Sequence, residues 1–123
     1  MKKILFGLCI AVGLYACGGN DKKTTDATAS NSAINNPAYQ EGLALVVKSD
    51  CYSCHKTAEA YTGPAYEAIA AKYANTPENV TMLASKIING GVGVWGQVPM
   101  SAHPTVSQAD AEKMVKYILL LKK

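Results

Sequence analysis

Apolar residues recur at helical spacing through the last two-thirds of the chain, and polar residues fill the intervals. The first such stretch opens with Asn36 and Pro37, a capping residue followed by a proline whose fixed φ suits a first helical turn. It predicts a helix from residue 37 to about 49, with Leu43, Val46 and Val47 on one face. A short second helix is predicted from residue 64 to about 73. Thr76, Pro77 and Glu78 open a third: a cap, a preset φ, and an acid where the helix dipole favours negative charge. It runs to residue 88 or 89 and stops at Gly90 and Gly91. Ser107 opens the fourth, with Asp110 three residues on as a weaker form of the capping box. That helix is expected to reach about residue 122. Ala111, Met114, Val115 and Ile118 recur along one face, and Lys122 and Lys123 suit the negative end of the dipole. No alternation is long enough to predict a strand. Residues 90–104, with four glycines and two prolines, predict a structured loop. The fold class is all-α.

The segments before residue 37 have a different character. Lys2 and Lys3 precede an apolar run at residues 4–16, about a dozen residues and too short for a bilayer crossing of roughly 20. The run ends Leu14-Tyr15-Ala16-Cys17 and resembles a bacterial lipobox. Residues 1–16 are therefore expected to be a lipoprotein-type signal peptide, with Cys17 as the lipidation site. An ordinary secretory signal with a chance cysteine is the plainer alternative. Residues 17–36 are small and polar, with Ile34 the only bulky aliphatic, so they bury too little surface to offset chain entropy. They are read as a flexible tether with a reach of roughly 25 Å. Residues 37–123 form the expected folded domain. At under about ninety residues its apolar core alone would be modest, and a buried cofactor would add hydrophobic mass.

Composition narrows the functions. The formal charge is +3, and all twelve basic residues are lysines. Base and phosphate readers rely on arginine forks, so nucleic acid is not an expected partner.

Cys51-Tyr52-Ser53-Cys54-His55 is a CxxCH run, the signature of covalent haem attachment. Two thiols three residues apart can add to the two vinyl groups of one haem. The adjacent His55 then lies under the iron, for which imidazole is a suitable ligand. A thioredoxin-like redox pair, a zinc site using His55 and His103, and a plain disulfide are the competing readings of the same residues. Haem is favoured because export suits this attachment chemistry. A second axial ligand must come from elsewhere. Met100 is the candidate, because it sits in a glycine- and proline-rich loop rather than on a helix face where methionine fills cores. His103 is the rival, three residues on.

The motifs CYSCHK at 51–56, TGPAY at 62–66, KIINGGVGVWGQVPM at 86–100 and the closing KYILLLKK at 116–123 together resemble the small class I bacterial monohaem cytochromes c of the short c8 type. The resemblance spans residues 37–123. It implies a class I cytochrome c fold of about four short helices wrapped round one covalently bound haem c. It implies cofactor contacts from Cys51, Cys54, Pro64, Lys86 and Trp95, and iron ligation by His55 and Met100. Pro64 would accept the His55 Nδ1–H, Trp95 would donate to a propionate, and Lys86 would stand near one. Gly42 and Val46 would meet Tyr117 where the terminal helices cross.

The expected function is single-electron transfer between respiratory complexes, a quinol-oxidising complex on one side and a terminal oxidase or reductase on the other. The protein would not be an enzyme. It would be a monomer on the periplasmic side of a bacterial membrane, held there by its N-terminal lipid. Lys48, Lys56 and Lys86 could steer an acidic partner, although an ordinary solvated surface is the slightly favoured reading. The alternatives are a haem protein with an open sixth site, acting in ligand sensing or catalysis, and a detached subunit of a larger redox enzyme.

Overall fold

The computed structural model describes residues 34–123. The expected signal at 1–16, the expected lipidation site Cys17 and the expected tether as far as residue 33 lie outside the described residues. Among the described residues, no helix is long and apolar enough to cross a membrane.

Among the described residues, four α-helices carry the fold. They are α1 (Pro37–Lys48), α2 (Tyr66–Lys72), α3 (Pro77–Asn89) and α4 (Gln108–Leu119). A single 3-10 turn, Cys51–Ser53, follows α1. The capping signals act as the residue types dictate. The Asn36 side chain accepts from Ala38 N–H, Thr76 from Asn79 and Ser107 from Asp110.

Helices α1 and α4 cross at Gly42. A Cβ there would collide with the Lys113 carbonyl oxygen and Tyr117 Cβ, so only glycine lets the helices approach this closely. Val46 is fully buried one turn later, against a core that includes Met114, Val115 and Tyr117. The buried side of α1 is thus Gly42 and Val46, with Tyr39 and Leu43 packed beside them. Val47, expected on that face, is 60% exposed. The face is centred on the Gly42 crossing, and Val47 falls to its edge.

Two element boundaries and one loop differ from expectation. Helix α2 starts at Tyr66 rather than residue 64, because its first amides are used elsewhere. Tyr66 N–H donates to Lys56 O and Glu67 N–H to Thr57 O, both at 3.0 Å. Those bonds tie α2 to the segment after the cysteines and leave Pro64 free to face His55. Helix α4 ends at Leu119, so Lys116, not Lys122 or Lys123, is the base in its last turn. Lys123 instead pairs with Glu67 at 3.1 Å.

The third difference is a hairpin inside the expected loop. Strands β1 (Gly91–Gly93) and β2 (Gly96–Met100) pair antiparallel, with Val94 and Trp95 at the turn. Gly93 and Gly96 flank that turn at φ 101° and 116°, values that side-chain-bearing residues rarely adopt. Neither strand alternates between buried and exposed positions, which is why the sequence carries no strand pattern.

Candidate functional site

The site is assembled around the turn after α1. Asp50 adopts a left-handed conformation, φ 58° and ψ 21°, which breaks the helix and swings the chain into the 3-10 turn. His55 N–H and Cys54 N–H then both donate to the Cys51 carbonyl, at 3.0 and 3.2 Å. This winding gathers Cys51, Cys54 and His55 on the wall of one cavity. Burial raises the Cys51 thiol above its ordinary pKa.

His55 is held from three directions. Its Nδ1 lies 2.7 Å from the Pro64 carbonyl oxygen. Its ring stacks on Tyr66, with centroids 5.3 Å apart and planes at 16°. Gly63 presses against its outer edge: a Cβ there would sit 2.6 Å from His55 Cε1 and 2.9 Å from Nδ1. The loop is itself fixed by Gly63 N–H donating to Cys54 O at 2.8 Å. The Nδ1 bond leaves Nε2 as the nitrogen available to a metal.

A tyrosine cluster backs this wall. The Tyr52 and Tyr117 hydroxyls are 2.8 Å apart, and Tyr66 contacts both rings edge-on. The Tyr66 hydroxyl is buried beside Cys51 without a hydrogen bond of ordinary geometry, and burial raises its pKa. Sequence reasoning assigned no role to Tyr52 or Tyr66. The position of Tyr66, two residues after the His55-facing proline, was the available signal.

The hairpin lines the same cavity. Met100 closes β2 and lines the same cavity as His55, as do Trp95 and Lys86. Trp95 is 45% exposed, and Lys72 Nζ lies 5.6 Å above its ring. Lys86 is exposed in the last turn of α3, its aliphatic stem running beside Gly91. Helix α4 supplies an apolar floor of Met114, Val115 and Ile118.

The cavity measures about 480 Å³. That is the size range of cofactor sites, which are mostly apolar with a few placed polar groups. Two thiols on its wall, an imidazole with one nitrogen already committed and a thioether lining the same cavity fit a covalently held haem. The competing zinc reading needs a convergence of ligands that the described residues do not supply. Among the described residues, no group of three or more His, Cys, Asp or Glu side chains is placed to hold a metal ion.

Comparison with known proteins agrees. The family model described as Cytochrome c matches residues 39–122. Cytochrome c-552 of Nitrosomonas europaea is 46% identical over 78 residues, covering 63% of this chain and 76% of the relative. Cytochrome c-551 of Allochromatium vinosum is 42% identical over 83 residues, covering 68% and 88%. The crystal structure of wild-type N. europaea cytochrome c552 superposes with a TM-score of 0.61 at 45% identity, over 65% of this chain and 99% of that one.

Proposed function

Because this chain belongs to the cytochrome c family, a family of small haem proteins that carry electrons, we propose that it is a closed carrier with His55 and Met100 as the two axial ligands. Haem c, held through Cys51 and Cys54, supplies a one-electron iron couple. The rest is the work of the chain. The Pro64 carbonyl accepts from Nδ1–H and fixes the imidazole, as partners of metal-bound histidines do. The observation that carries the reading is the shared cavity. His55 reaches it from the turn after α1, and Met100 reaches it from the end of β2. A neutral, soft thioether opposite imidazole favours the reduced form more than a second imidazole would. With both positions filled by the chain, no site is left for substrate, and electron exchange is what remains.

Trp95 and Lys86 are assigned to the propionate side of the cofactor. Lys72 against the Trp95 ring helps to keep the hairpin turn in place. Exposed Val92, Val94 and Val98 surround that turn and offer a small apolar rim for brief contact with a redox partner. Such partners are a quinol-oxidising complex and a terminal oxidase or reductase. The basic start, the apolar run and Cys17 support export and a lipid anchor on the periplasmic side, with residues 17–36 as tether. Residues 37–123 are the carrier domain.

Carbon monoxide tests closure. The reduced protein at neutral pH is expected not to take it up. Rapid binding would favour a haem protein with an open sixth site.

A further inference from the structure

One group facing the cavity has no part in the carrier so far. His103 lines the cavity beside Met100 and Trp95. It is no loose surface side chain. Its peptide N–H donates to both Ile87 O and Ile88 O, at 3.0 and 3.1 Å, which pins its backbone to the last turn of α3. The ring is half-buried, and its Nδ1 is enclosed with no hydrogen-bond partner. An enclosed polar nitrogen without a partner forfeits its hydration, so a histidine is an unfavourable way merely to fill this position. With Nδ1 shut away, Nε2 is the nitrogen left for a ligand.

Only Ser101 and Ala102 separate His103 from Met100, and both are exposed. Three residues span at most about 10 Å when extended, so the two side chains work within one short reach. Methionine is a weak, neutral ligand, and oxidation to sulfoxide turns it into a polar group. Imidazole is a stronger ligand for iron.

We infer that His103 is a reserve axial ligand, which takes the iron position opposite His55 when the Met100 sulfur leaves it. The inference rests on the His55/Met100 assignment proposed above. The exchange is ligand for ligand: one sulfur–iron bond breaks, one nitrogen–iron bond forms, and no electron or outside reactant is required. Its consequence is protective. A carrier that loses its sulfur ligand would otherwise become a haem protein with an open site. With His103 in place it stays closed, and its reduction potential falls because imidazole has replaced thioether.

The test compares the holoproteins of the parent, Met100→Ala, His103→Ala and the double variant. In Met100→Ala the sulfur-to-iron charge-transfer band is lost, the spectrum stays low-spin, the potential drops, and carbon monoxide binds at least about tenfold more weakly than in the double variant. The double variant is high-spin. His103→Ala alone keeps the charge-transfer band. Should Met100→Ala not fold, the same readings are taken on folded parent and His103→Ala protein after peroxide oxidation of Met100. A high-spin Met100→Ala that binds carbon monoxide as tightly as the double variant overturns the reserve ligand. So does a double variant that remains low-spin. A parent protein without the charge-transfer band would instead overturn the Met100 assignment, so the two failures are told apart.

Discussion

Gly63→Ala is the substitution that most sharply probes how His55 is held. The added Cβ would sit 2.6 Å from His55 Cε1, 2.9 Å from Nδ1 and 3.1 Å from Nε2, whereas ordinary contact begins at 3.4 Å. Ring or loop must therefore retreat by most of an ångström. The ring has little room, because Tyr66 stacks on it. The loop has little room either, because Gly63 N–H is bonded to Cys54 O and Tyr66 N–H to Lys56 O. The Nδ1 to Pro64 bond, 2.7 Å in the structure, is the contact that yields. Losing it costs about 1 kcal/mol, and forcing a methyl into a packed wall costs about 1–3 kcal/mol more. For a domain of this size the sum lowers Tm by at least about 8 °C. Because the bond also orients the imidazole proposed as an axial ligand, the reduction potential should shift as well. Thermal melting followed in the Soret region, with a potentiometric titration, checks both. A Tm within about 2 °C of the parent, together with an unchanged potential, would refute the claim that Gly63 and Pro64 jointly fix His55.

Two further outcomes separate packing from cofactor orientation. Gly42→Ala meets the Lys113 carbonyl and Tyr117 Cβ, and none of these three residues lines the cavity, so it should cost about 1–3 kcal/mol in chemical denaturation and leave the potential unchanged. Tyr117→Phe removes one hydroxyl of the 2.8 Å pair with Tyr52 and should cost about 1 kcal/mol by the same measurement, with the visible spectrum retained.

The parts of this fold that sequence reveals are those fixed by local chemistry. Asn36, Thr76 and Ser107 are capping residue types, and each caps a helix where the sequence predicts one. CxxCH fixes three cofactor-facing residues by spacing alone. The crossing of Gly42 with Tyr117 was expected from the resemblance, and the collision a Cβ would make there gives its physical reason. What escaped sequence reasoning depends on contacts between distant segments. The start of α2 is set by the carbonyls of Lys56 and Thr57, which no local pattern records. The hairpin at residues 91–100 is short, glycine-rich and exposed, so it lacks the alternation by which strands are recognised. The stacking of Tyr66 on His55 and the enclosure of His103 likewise arise only when the chain closes on its cavity. The tether and Cys17 rest on sequence alone.

The central claim is that the Met100 sulfur stands opposite His55 in a closed site. The absorption spectrum of the oxidised protein at the near-infrared edge tests it most directly, because a weak band there reports a thioether bound to ferric haem. The parent should show the band, and Met100→Ala should lose it. A parent without the band, or a Met100→Ala variant that retains it, would contradict the account.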